Sequence, residues 1–212
     1  MSPHHVPSFD DLKSRTADLW RGFAGSWWVA GGWAIDLAIG MVTRAPDDID
    51  VSVLRQDLPA IRSHFGDWDL RVVSGGEIRR WNGGPLAPEE HQLWARFDKG
   101  PRPTGVADFS VDPTFFEVLI EEQADGQWTY RRDPAVKRPL AEFGRIAEGI
   151  PFVAPEIQLL YKSKPHPSYD AKNDIDFERC CPHLSQGERG WLNDSLRLVS
   201  PEHRWLQRLG RT

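Results

Sequence analysis

The sequence predicts an α+β fold: a mixed sheet with helices, followed by a helical C-terminal unit. Three observations predict it. Short apolar runs with a period of two recur through the first two thirds of the chain. Helical-period segments alternate with the earliest of these runs, and from about residue 155 onward the pattern is helical. The order is helix, strand, helix, strand, helix, several strands, then helices, which places a mixed sheet unit before a helical tail. The division is expected at 145/146, giving units 1–145 and 146–212.

The elements follow in order. "PSFDDLKSRTADLWRGF" sets Leu12, Leu19, Trp20 and Phe23 at near-helical spacing after a cap candidate at Ser8. "SWWVAGG" is short, apolar and ends at paired glycines, so it reads as a buried strand entering a tight turn. "WAIDLAIGMV" follows as a helix. "DIDVSVL" is a second strand, with Asp48, Asp50, Ser52 and Leu54 on one face and Ile49, Val51 and Val53 on the other. "LPAIRSHFG" is a helix, "DLRVVSGGEIRRW" a strand, a turn and a further strand, and "HQLWARF" a strand. "KGPRPTGVADFSVDPT" is a Gly/Pro-rich loop. "FFEVLIEE" and "QWTYRRD" are strands about the turn "QADG". A Pro/Gly connection near Gly149–Pro151 leads to the helices of "APEIQLLYKSK", "YDAKNDIDFERCCPHL" and "SQGERGWLNDSLRLV".

Bulk properties narrow the function. The 212 residues are 40% hydrophobic and 27% charged, which suits one sizeable globular unit or two small ones. The net charge is −5 with no Lys/Arg-rich block, so a nucleic-acid partner is not expected; a small or cationic substrate fits better. No apolar run reaches the roughly 18–20 residues of a membrane span. The start "MSPHHVPSFDDLKSR" lacks a signal-peptide pattern, so a cytoplasmic protein is expected. Cys180 and Cys181 are adjacent and read as two reduced thiols, with no zinc site and no disulfide framework. The ten tryptophans read chiefly as core packing.

The chemistry concentrates between Val29 and Leu54, "VAGGWAIDLAIGMVTRAPDDIDVSVL". A strand ends at Gly31-Gly32, a helix starts at once, and a second strand carries Asp48 and Asp50 on one face. Two carboxylates so placed share a hard divalent cation, with phosphate oxygens completing its shell. Glycines admit a phosphate close to backbone N–H groups, and the helix N-terminus adds a favourable dipole. Together these features describe a nucleoside triphosphate site. Asp47 reads as a solvated or turn residue. Asp36 reads as structural, fixing Arg44 or the loop before the carboxylates.

"GGWAIDLAIGMVTRAPDDID" resembles the signature of the aminoglycoside nucleotidyltransferases, nearest their 2''-adenylyltransferase and lincosamide adenylyltransferase branch. These belong to the polymerase-β-like nucleotidyltransferase superfamily. The matching positions are Gly31, Gly32, Trp33, Asp36, Gly40, Thr43, Arg44, Asp48 and Asp50; Pro46 stands where the family often has His. The resemblance implies a Mg2+-dependent enzyme that moves a nucleoside monophosphate, AMP from ATP or another nucleotide, to a hydroxyl of a small molecule such as an aminoglycoside or lincosamide. Asp48 and Asp50 would hold the metal; Gly31, Gly32 and Arg44 would meet the nucleotide. A third carboxylate is expected on a later strand, with Glu117 first and Asp108 second. "PEIQLLYKSK" and "KNDIDF" resemble the family's helical region, which carries a lysine near the phosphates: Lys162, with Lys164 the alternative.

Other residues read more plainly. Arg131-Arg132 are a candidate contact to a triphosphate tail, although paired arginines at a strand end are usually solvated. Asp174 and Asp176 repeat the D-x-D spacing, but on a helix they do not share a face. His91 reads as a strand histidine with its partners nearby, and Glu89-Glu90 and Glu121-Glu122 as wet surface. Two rival functions remain on the sequence: a toxin-like nucleotidyltransferase acting on tRNA or protein, and a non-catalytic nucleotide-binding module.

Overall fold

A computed structural model describes residues 8–43, 48–96 and 115–210. Helix α1, Phe9–Trp20, starts at a capping box in which the Ser8 hydroxyl accepts from the Asp11 amide while the Asp11 carboxylate accepts from the Ser8 amide. Strand β1, Trp27–Val29, runs into helix α2, Gly31–Ile39, which Gly40 closes in the left-handed conformation. Strand β2, Asp50–Leu54, and helix α3, Leu58–His64, come next. Strands β3 (Asp69–Ser74), β4 (Glu77–Arg80), β5 (Gln92–Arg96) and β6 (Phe115–Ala124) follow.

The sheet then continues past the division expected at 145/146. Strands β7 (Gln127–Thr129) and β8 (Lys137–Pro139) precede a hairpin of β9 (Gly144–Ala147) and β10 (Ile150–Val153). The segment expected as a Pro/Gly connection is thus a strand that pairs in parallel with β1. The helical part starts at Pro155 and comprises α4 (Pro155–Lys162), α5 (Asp170–Cys180), α6 (Gln186–Val199) and α7 (Leu206–Leu209). None of the described helices is long and apolar enough to cross a membrane. Cys180 and Cys181 are buried free thiols.

The sheet order is β4-β3-β5-β6-β2-β1-β10-β9, with β7 and β8 extending from the far end of β6. It is mixed: β2 runs parallel to β6 and β1 to β10, while the other pairs are antiparallel. Alternation sorts the side chains onto two faces. One face, with Val51, Val53, Leu70, Val72, Leu93, Ala95, Phe116 and Val118, packs on Leu12, Trp20 and Ile61 from α1 and α3. The opposite face meets the C-terminal helices at Trp28 and Leu119. There Trp128, Phe143, Ile157, Leu160, Phe177, Leu192 and Leu196 form a second apolar core. Glycine is required where β9 crosses Trp28, because a Cβ at Gly144 would overlap the indole ring.

Candidate active site

Strand pairing builds the site. β2 and β6 run in parallel with Asp50 directly opposite Glu117, so the two carboxyl groups share a face on neighbouring strands. Asp48, expected on the strand itself, lies instead in the bend just before β2, which starts at Asp50. Carboxylate oxygens of Asp48, Asp50 and Glu117 lie within 4.8 Å of one another.

Gly31 closes the other side. Its φ is +65°, and a Cβ at this position would collide with the Asp50 carboxylate. The first residue of α2 is therefore glycine for two reasons, backbone conformation and space. The start of α2 and the start of β2 are pinned together where the Ala30 amide donates to the Asp50 carbonyl, 2.8 Å. The Gly31 N–H does not face the cavity as an open donor; it donates to Gln158 Oε1 at 2.9 Å. Gly32, the next residue of the first turn, also lines the cavity, and amides of a helix's first turn lack intrahelical partners.

Three acids this close disfavour joint ionisation. Burial, then the neighbouring Asp48 charge, then that of Glu117, push the Asp50 carboxyl well above the usual carboxylate range. Glu117 is pushed up to about 7, chiefly by burial and next by Asp48; the Gln92 amide, which donates to it, and Arg131 act in the opposite direction. A hard, all-oxygen ligand set whose repulsion a cation would relieve fits a divalent metal such as Mg2+.

The carboxylates open into a cavity of about 500 Å3 between the sheet and the helices, with Lys162, Lys172, Arg131 and Tyr161 on its walls. Lys162 and Lys172 act on Asp50 in the sense of lowering its pKa. The Lys162 ammonium is held 2.8 Å from the buried Asp176 carboxylate. Asp176 is thereby the partner of the cavity lysine, while Asp174 accepts from Arg204 and from the Trp205 indole. Lys164 also lines the cavity. Asp36 accepts from Thr43 Oγ1 at 2.6 Å, and Arg179 donates to the same hydroxyl at 3.0 Å. Arg44, Asp47 and Asp108 lie outside the described residues.

Two readings of the charged residues are corrected. Glu121 is not wet surface: it is 1% exposed and accepts from Ser52 Oγ (3.0 Å), Trp128 Nε1 (2.9 Å) and Tyr161 Oη (2.5 Å). Arg131 is not a solvated strand-end cation. It stands 4.0 Å from Glu121 with its guanidinium over the Tyr161 ring, 4.7 Å from the centroid. Arg132 donates to the Tyr161 carbonyl at 2.7 Å. One signal was present in the sequence: Glu121 follows Glu117 by four residues, so a strand puts both on one face. The cover supplied by Tyr161 and Trp128 is a tertiary fact. His91, as expected, has partners: Nδ1 lies 3.2 Å from Arg55 and 3.7 Å from Glu122. Burial and then the charges of Arg131 and Arg55 lower its pKa to about 4.

A mixed sheet, a glycine turn into a helix, and carboxylates on adjacent strands define the nucleotidyltransferase fold class. Comparison with known proteins agrees with this fold. Residues 14–72 match the family model described as aminoglycoside-2''-adenylyltransferase, and this segment contains the glycine pair, Asp48 and Asp50. Among solved structures, the antibiotic-resistance factor ANT(2'')-Ia in solution is similar over 88% of this chain and 90% of its own, with 18% identity and a TM-score of 0.53. ANT(2'')-Ia in complex with adenylyl-2''-tobramycin aligns over 89% and 97%, with 18% identity and a TM-score of 0.52. The lincomycin-bound lincosamide antibiotic adenylyltransferase LnuA aligns over 85% and 100%, with 16% identity and a TM-score of 0.52. The fold is shared with these proteins. A sequence search of curated proteins gave no match.

Four outcomes follow from this geometry. Gly31→Ala should lower stability by about 1–2 kcal/mol for the left-handed backbone and weaken Mn2+ binding further by displacing Asp50; denaturant unfolding and metal titration read the two effects separately. Metal-free protein should lose stability as pH rises from about 4.5 toward about 7, because folded Glu117 holds a proton that the unfolded chain releases at lower pH. Added Mg2+ should raise the unfolding midpoint more at about pH 8 than at about pH 5.5, since cation and proton compete for the same oxygens; an equal rise at both would contradict the assignment. Glu121→Gln should cost about 1–3 kcal/mol in urea unfolding, because an amide N–H replaces an acceptor that buried donors need.

Proposed function

We propose that this chain is a Mg2+-dependent nucleotidyltransferase that transfers AMP from ATP to a hydroxyl of a small molecule of the antibiotic type. The observation that carries the reading is the set of carboxylates from Asp48, Asp50 and Glu117 within 4.8 Å, beside the start of α2. The family match over 14–72 supports it. So do the ligands of the similar structures, lincomycin in LnuA and adenylyl-2''-tobramycin in ANT(2'')-Ia.

In this reading the sheet part carries the carboxylates and the helical part supplies cations. Asp48, Asp50 and Glu117 would hold Mg2+, which when bound neutralises phosphate charge and makes a hydroxyl easier to deprotonate. Lys162, oriented by Asp176, and Lys172 would take the triphosphate from the helical side. The first turn of α2 would add backbone donors and the positive end of its dipole. The acceptor oxygen forms a bond to the α-phosphorus as the bond to the bridging oxygen breaks, and pyrophosphate leaves with that electron pair. The hydroxyl proton passes to a carboxylate oxygen or to solvent. Catalysis of this kind rests on positioning and charge neutralisation.

Incubation with labelled ATP, GTP, CTP or UTP and a panel of antibiotics should release pyrophosphate in the presence of Mg2+. Asp48→Ala and Asp50→Ala should each lower the rate by roughly 100-fold or more, a larger loss than that of an outer-shell partner. Lys162→Ala should raise the nucleotide KM by roughly tenfold, the worth of a charge-assisted contact. Release that survives loss of either aspartate would refute the proposal.

A further inference from the structure

Residues paired directly on neighbouring strands point to the same face. The row from Asp50 through Glu117 and Trp94 to Arg71 is therefore followed, two residues along the strands, by Ser52, Leu119 and Gln92. This second row floors the cavity beside the carboxylates. Two residues farther along β6 stands Glu121, about 13 Å from Glu117 by the rise of a strand. Tyr161 and Arg131 meet Glu121 at that end and wall the same cavity.

Arg131 is held there without a hydrogen bond of its own. Its guanidinium lies over the Tyr161 ring and 4.0 Å from Glu121. That separation is too long for a hydrogen bond, and both oxygens of Glu121 already accept from Ser52, Trp128 and Tyr161. Arg131 Nη1 is buried and has no hydrogen-bond partner. Other cations of the cavity are occupied: Arg132 donates to the Tyr161 carbonyl and the Tyr130 hydroxyl, and Lys162 is paired with Asp176. Buried donors without partners destabilise a fold and are rare. One on a cavity wall is satisfied when a ligand brings the acceptor. The ring and the carboxylate fix the Arg131 fork in advance, so little freedom is lost on binding.

We propose that Arg131 is a substrate-binding residue, and that its guanidinium takes an oxyanion group lying across the Ser52–Leu119–Gln92 row from the metal carboxylates. The interval, less the reach of the side chains at its two ends, leaves room for one substituted ring or a polyphosphate chain. Leu119 offers such a ligand an apolar surface, and Gln92 is an amide already directed at Glu117. The oxyanion has two chemical sources, the phosphates of a nucleotide and a carboxylate or phosphate carried by the acceptor. An ammonium group would meet like charge at this end. The part of the contact in transfer rests on the reading above; oxyanion binding at Arg131 does not.

NMR of the full chain carrying isotope-labelled arginine reads the guanidinium directly. The Arg131 Nε–H signal is identified by its loss in Arg131→Lys. Inorganic tripolyphosphate with Mg2+ carries the phosphates without base or ribose. Glucuronate carries a carboxylate on a hydroxylated ring, and tobramycin is the cationic control. Titrations run at about 0.15 M chloride, which screens loose surface contacts. The signal should move to saturation with an oxyanion probe and stay in place with tobramycin. Arg131→Met should weaken that probe about tenfold. Arg131→Lys keeps a charge beside Glu121 if the methionine variant does not fold, and should still weaken it about threefold through loss of the fork. Movement with tripolyphosphate assigns the oxyanion to the nucleotide, movement with glucuronate assigns it to the acceptor, and either supports the proposal. A signal that neither probe moves, one that tobramycin moves equally, or affinities that both variants leave unchanged overturns it and leaves Arg131 as compensation for Glu121. Failure of tripolyphosphate to bind anywhere on the wild-type chain counts instead against the transfer reading, which the glucuronate titration does not use.

Discussion

The mutual repulsion of Asp48, Asp50 and Glu117 is the constraint around which the rest of the molecule is arranged. Parallel pairing of β2 with β6 sets Asp50 against Glu117, and the bend before β2 adds Asp48. Gly31 presses bare backbone against the same carboxylate. A fold stores such a cluster at the cost of raised pKa values, as Asp50 and Glu117 have. The arrangement is favourable once a cation is shared among the oxygens.

The helical part answers that charge from across the cavity. Its cations are held rather than loose: Asp176 fixes Lys162, and Arg131 is set by the Tyr161 ring and the buried Glu121. Glu121 in turn needs the donors of Ser52, Trp128 and Tyr161, contributed by β2, β7 and α4. Packing of the second apolar core and orientation of the cavity wall are therefore one problem. A buried carboxylate is tolerated where every lone pair has a donor, and this one ties the sheet to the helices at the point where the ligand would sit.

The two ends of the sheet face are used differently. Around Leu119 and Trp28 the helices cover it and build core. Around Trp94 and Phe115 the aromatic pair stays half-buried beside guanidinium groups. The carboxylates lie at the boundary between the two.

The sequence by itself determined the strand–glycine–helix–strand unit and the common face of Asp50 and Ser52, because both depend on local rules: positive φ at Gly31, apolar periodicity, and a period of two in β2. It also singled out Glu117 and Lys162 as residues to watch. Asp48 joins Asp50 from the bend before that strand, which the period of two does not cover. Tertiary structure decided what local rules do not reach. β10 is short and contains Pro151, so its place beside β1 shows only when the sheet assembles. Glu121 and Arg131 look like solvent-facing charges in the string "FFEVLIEEQADGQWTYRR"; Tyr161 and Trp128, brought from elsewhere in the chain, turn them into interior partners. The row from Asp50 to Arg71 joins four strands whose order in the sheet differs from their order in the chain. Burial and strand order come from contacts between distant residues, and those contacts set the charge environment of every group in the site.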